Sequence, residues 1–140
     1  MIIFSIFREV LRRPLGLISA GVLVSLYLAA LFADFLAPYP TNEQDLDRTY
    51  HPPTALVFND GAFHAQGYVL VDPTEAKYEA VEGLRYPLSL FGKGFEYRFL
   101  GLFKTQRHLL TIEGAEGRLY LLGSDSTGRD VFSRLMFGSR

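Results

Sequence analysis

Cysteine is absent from the 140 residues, and that gap alone excludes disulfide frameworks, Cys-based zinc sites and thiol nucleophiles. Neither sign of charge is in excess. A formal net charge of -1 leaves no basic face for nucleic acid and no acidic block of a solvated tail, so no nucleic-acid partner is expected. His51, His64 and His108 are too widely separated to share a metal by local spacing and read as ordinary polar or packing residues. Asp72, Glu75, Glu79 and Glu82 read as a solvated face, and Asp45 and Asp47 lack the surrounding oxygen ligands of an EF-hand. The chain has no nucleophile elbow, phosphate-binding glycine loop or zinc helix. Without a catalytic constellation it is not expected to be an enzyme, and no cofactor or metal is expected.

What the chain does have is one long apolar run. Leu15 to Ala33 passes nineteen residues without a charge, and a helix of that length, at about 1.5 Å per residue, matches a hydrocarbon core of about 30 Å. Its ten Leu, Ile, Val and Phe residues favour insertion by roughly 3 to 6 kcal/mol. Residues 14–38 are therefore read as a transmembrane helix, stopped by Pro38 and Pro40, with Tyr39 suited to an interface. Arg8, Arg12 and Arg13 precede the span, which places the amino terminus in the cytoplasm and everything after residue 38 outside it. A cleaved signal peptide is the competing reading, since it shares the basic start and apolar core. Against it, the run exceeds the usual h-region of about 7 to 15 residues, and Leu31 stands where a cleavage site ending at Ala33 requires a small side chain.

Ahead of the span, Ile3, Phe7, Val10 and Leu11 share a helical stripe, which reads as a short helix over residues 1–13 on the cytoplasmic surface; an irregular start to the same span fits the pattern too. Inside the span, Gly21, Ser25, Ala29 and Ala33 recur at every fourth position. Such a stripe of small side chains suits close approach by another helix.

After a polar spacer the apolar runs become short. Asn59, Asp60 and Gly61 separate two runs as a tight hairpin turn would; Gly92 to Gly94 and Gly114 to Gly117 suggest two more. Phe95, Tyr97 and Phe99 alternate onto one face. The expected fold is thus one amino-terminal transmembrane helix, a small β-rich extracytoplasmic lobe of hairpins within residues 39–122, and a short terminal amphipathic helix. That last segment, 123–140, opens with a glycine turn. Thr127 and Asp130 have the form of a capping pair, and Val131, Leu135 and Met136 are placed on one face.

The wording of this segment is more specific than its amphipathicity. Leu122, Gly123, Ser124 and Asp125, then Gly128, Arg129, Asp130, Ser133, Arg134, Gly138 and Arg140, closely resemble a signature of the C-type permease subunits of dipeptide and oligopeptide ABC importers. Ser124 stands where Thr is more usual. The resemblance implies a longer permease in which a second span follows the motif, with the lobe as an inserted region. It further implies a second permease subunit, two ATPase subunits reached through other regions, an extracytoplasmic substrate-binding protein and contact with membrane lipid. Location in the cytoplasmic (inner) membrane and transport of peptides or similar small solutes by alternating access follow from the same likeness. The motif residues are then structural or interface residues, Asp125, Arg129, Asp130 and Arg134 above all. The rival is a single-pass anchored binding module with no transport role.

Overall fold

A computed structural model describes residues 12–114 and 116–140. The stripe of Ile3, Phe7, Val10 and Leu11 lies outside the described residues. The first helix, α1 (Pro14–Leu31), starts with Pro at its first position, where the missing N–H costs nothing. It is apolar on all sides, and none of its residues is buried by the rest of the chain. Among the described residues it is the one helix long and apolar enough to cross a membrane.

The helix does not run unbroken to residue 38 as the sequence suggested. Phe32 leaves the helical region at φ -98° and ψ 16°, and a single turn, α2 (Ala33–Leu36), follows before Ala37 becomes extended ahead of Pro38. The break is held by packing. Phe32 and Phe35 pack against Phe99, tilted and edge-on respectively, with ring centroids 5.9 and 6.4 Å apart, Phe35 also meets Phe91, and the Phe35 carbonyl accepts the Leu109 amide at 2.9 Å.

A 3-10 turn (Leu46–Arg48) leads into the lobe. Strands β1 (Leu56–Asn59), β2 (Ala62–Asp72), β3 (Lys77–Leu90) and β6 (Leu110–Ile112) form an antiparallel sheet in that order, while β4 (Lys93–Phe99) and β5 (Phe103–Arg107) form a separate hairpin. The Asp60–Gly61 turn joins β1 to β2 as the sequence suggested.

The other two suggested hairpins are corrected. The end of β3 pairs with β6 (Leu88 opposite Ile112, Leu90 opposite Leu110), not with β4, so Gly92 marks where the β4–β5 hairpin leaves the sheet. A side chain at Gly92 would meet Thr111 Oγ1, and this close approach sets the departure point. Beyond Gly117 no strand forms, because the Leu119 amide donates to the Tyr39 hydroxyl (2.7 Å) and the Tyr120 amide to Thr54 Oγ1 (3.0 Å) rather than to a ladder. The alternation of Phe95, Tyr97 and Phe99 holds, with Tyr97 buried and Glu96 and Arg98 exposed. The chain closes with α3 (Val131–Gly138), which packs on α2.

Burial is concentrated away from the sheet. His51, Thr54, Leu119, Tyr120, Ser124, Asp130 and Ser133 are all buried. They lie where the polar spacer crosses the segment that leads into α3.

Candidate functional site

The crossing begins with two glycines. Gly123 and Gly128 have φ of +83° and +71°, and a Cβ would lie 2.6 Å from the His51 carbonyl oxygen at the first and 1.7 Å from that of Asp45 at the second. Both the backbone conformation and the neighbouring chain therefore require glycine. Between them the two segments are laced together. The Ser124 amide donates to the His51 carbonyl (3.0 Å), the His51 amide to Ser124 Oγ (2.8 Å) and Ser124 Oγ to the Arg48 carbonyl (2.5 Å). The Tyr50 amide donates to the Asp125 carbonyl at 3.0 Å. The hydroxyl shared by Ser and Thr carries two of these bonds, which is why Ser serves at position 124.

Asp125 is the hub. Its Oδ1 accepts the Thr127 amide (2.8 Å), the Thr127 hydroxyl (2.7 Å) and the Arg129 amide (3.0 Å), and its Oδ2 accepts Arg129 Nε (3.0 Å) and Arg134 Nη1 (2.5 Å). Burial works to raise its pKa, but the bonds from Thr127 and Arg129 outweigh it and hold the carboxyl far below the usual range.

Thr127, thus occupied, is not the helix cap. The cap is Asp130, whose Oδ2 accepts the Ser133 amide (2.8 Å) and hydroxyl (2.6 Å), so α3 starts later than the capping pair suggested. Burial pushes the Asp130 carboxyl up despite these bonds, and its Oδ1 is buried without a partner. Ser133 Oγ also accepts the Tyr39 amide at 3.2 Å, which links the cap to the end of the membrane-length segment. The buried side of α3 is centred on Ser133, while Leu135 is 55% exposed.

The remaining motif residues are placed apart. Gly138 has open space around it, and Arg140 Nη2 reaches Asp34 Oδ2 at 2.6 Å, tying the end of α3 to α2. Of the small-residue stripe, Ala33 is fully buried, Ser25 donates to the Gly21 carbonyl at 2.8 Å, and Ser25 and Ala29 border an apolar groove shared with Leu28, Phe32 and Phe99. A side chain added at Gly21 would meet nothing within 4 Å.

Two groups of contributors were not legible as site residues. Arg118 pairs with Glu43 and Asp45 and lies 5.1 Å from the Tyr39 ring centre; Asp45 also pairs with Arg48 at 2.6 Å. His51 sits among the rings of Tyr68, Tyr78 and Tyr120, at 5.2, 4.7 and 5.0 Å. Burial holds its imidazole below the usual pKa, against the pull of the Pro52 carbonyl 2.6 Å from Nδ1. Aromatic spacing at Tyr39, Tyr78 and Tyr120 was the available signal, but their partners come from distant segments. Among the described residues no group of acidic or His side chains is placed to hold a metal.

This geometry makes a hydrogen-bonded knot joining the segment that follows α1, the spacer and the motif. Residues 4–53 match the family model described as the N-terminal TM domain of oligopeptide transport permease C. Over those residues the chain is similar to the amino-terminal portion of C-type permeases. The matched region takes in α1 and the spacer that receives Ser124 and Gly128, whereas the lobe and the motif turn lie beyond it. Searches of curated proteins and of solved structures found no match.

Proposed function

We propose that the chain is the amino-terminal part of the transmembrane permease subunit of an ABC importer for peptides or similar small solutes. It lies in the cytoplasmic membrane, with the amino terminus cytoplasmic and the residues after 38 outside. The complete assembly moves substrate by alternating access, with a second permease subunit, two ATPase subunits and an extracytoplasmic binding protein; this chain itself hydrolyses nothing. The single observation that carries the reading is the permease C match over residues 4–53, which takes in the membrane-length helix α1.

The knot gives the motif a physical role in this reading. Asp125, Arg129, Asp130 and Arg134 hold α3 at a fixed angle to the end of α1, so helices on either side of the lobe move as one body. Catalysis is not involved. The decisive experiment compares uptake of labelled di- and oligopeptides in cells lacking the protein and in cells complemented with wild type, Asp125→Ala or Arg129→Ala. Wild type should restore uptake. Either variant should lower it, while nucleotide binding by the ATPases is unchanged. Unaltered peptide uptake in the deletion strain would overturn the transport reading; full activity of both variants would remove the motif's role.

A further inference from the structure

The β4–β5 hairpin ends in an apolar stretch, Phe99-Leu100-Gly101-Leu102-Phe103, enclosed by Arg98 and Lys104. Its turn has φ of +49° at Leu100 and +76° at Gly101, closed by the Leu102 amide donating to the Phe99 carbonyl at 2.9 Å. The β1–β2 turn has the same pair of positive angles, at Asp60 (+50°) and Gly61 (+79°). There the first position holds Asp, an ordinary occupant of such a turn. Leucine is a poor one, since its Cβ crowds the backbone and it offers no polar group to the turn. Leu102 is moreover 79% exposed and Phe103 58% exposed, so neither the turn nor the core of the lobe accounts for this sequence.

Position accounts for it. Leu100 shares a cleft with Tyr27, Ala30 and Leu31 on the last turns of α1 and with Ser139 and Arg140 after α3, where Arg140 is paired with Asp34, and Phe99 packs on Phe32. At about 1.5 Å per residue those α1 positions lie within roughly 6 Å of the helix end. The tip is therefore level with the apolar end of α1 and continuous with its surface. Directly behind the tip, Arg98 and Lys104 are cross-strand partners, with Lys104 also 2.9 Å from Glu96. Apolar side chains at acyl depth with cations one residue pair higher match the layering of a lipid leaflet, where basic groups meet phosphate.

We propose that the β4–β5 tip is a second membrane anchor, in which Leu100, Leu102 and Phe103 enter the outer leaflet beside α1 while Arg98 and Lys104 lie at headgroup phosphates. This rests on the reading of α1 as a span. The anchor fixes the tilt of the lobe by giving it an attachment to lipid other than the chain that leads out of α1.

Because the chain lacks cysteine, single-Cys variants carrying an environment-sensitive fluorophore report defined depths. Three are compared in phosphatidylethanolamine and phosphatidylglycerol vesicles: Leu102→Cys, Val24→Cys in the middle of α1, and Thr74→Cys in the exposed β2–β3 turn. The expected pattern is quenching of position 102 by lipid spin-labelled near the headgroup, quenching of position 24 by deeply labelled lipid, and quenching of position 74 by aqueous iodide alone. Lipid quenching at 24 with iodide access at 102 would overturn the anchor and leave the span intact. Shielding of 102 from both iodide and lipid would assign the tip to a protein partner and equally overturn it. Absence of lipid quenching at 24 would remove the span and the anchor with it.

Discussion

Asp125 and Asp130 stand in one turn, yet their surroundings drive them in opposite directions. Asp125 collects five donor contacts and titrates below its unfolded value of about 3.9. Its contribution to stability is complete above that value and is lost as pH falls through the folded pKa. Asp130 is raised by burial, so its ionisation costs stability at neutral pH, and protonation removes that cost as pH falls through the folded value. His51 is lowered, so its contribution is complete above about pH 6.5 and drains as pH falls below it. Asp130→Asn should keep the cap, shift stability at neutral pH by only a few tenths of a kcal/mol, and abolish the gain on acidification; Asp130→Ala should cost about 1 kcal/mol. Thermal unfolding in detergent as a function of pH checks both. A wild-type pH slope persisting in Asp130→Asn would refute the assignment. The residue types of the motif were legible from sequence. The division of labour between the two acids was not, because it depends on which amides each carboxylate meets.

At the scale of elements, one signature contains glycines of two kinds. Gly128 closes on the Asp45 carbonyl with φ +71°, whereas Gly138 ends α3 in open space. Gly128→Ala should destabilise by about 3 kcal/mol or more, from left-handed strain plus overlap with backbone. Gly138→Ala should be neutral or slightly stabilising, since alanine is the better helix former by about 1 kcal/mol. Melting temperatures of the two variants test this directly, and equal losses would contradict it. The motif shows both positions as glycine. Only the crossing of residue 45 beneath 128 separates them, and that contact is long-range. The same reason explains the misplaced helix start: Thr127 and Asp130 have the spacing of a capping pair, but Asp125 takes the Thr127 hydroxyl first. Likewise the glycines at 92 and 114 to 117 were correctly read as breaks, while strand partners depended on β3 reaching past the inserted hairpin to β6.

For the whole molecule, the lobe leaves and returns at one place. The Thr54 amide donates to the Tyr120 carbonyl at 2.8 Å and the Tyr120 amide to Thr54 Oγ1 at 3.0 Å, so the ends of the intervening segment are already paired. Replacing residues 56–117 by a short Gly/Ser linker should therefore leave residues 123–140 resistant to protease, with a loss of stability from the missing Tyr68 and Tyr78 rings around His51 and the missing Phe91 and Phe99 rings against Phe32 and Phe35. Rapid cleavage within 123–140 in the shortened protein would show instead that the lobe builds the knot. A smaller test is Tyr78→Phe, which removes a hydrogen bond to the Thr49 carbonyl (2.7 Å) and should cost about 1 kcal/mol without disturbing the motif turn.

The sequence by itself determined what short-range physics controls: an uncharged apolar run long enough to span, Pro and Gly as stops and turns, strand alternation at 95 to 99, and a helix after the motif. Tertiary structure alone decided the break at Phe32, the pairing of β3 with β6 and the meeting of the spacer with the motif turn. Hydrophobic period and turn chemistry act on neighbours in the chain. Hydrogen bonds such as those from the His51 amide to Ser124 Oγ and from the Leu119 amide to the Tyr39 hydroxyl join residues that no local pattern connects, and they exist only once the spacer has met the motif segment in the folded chain.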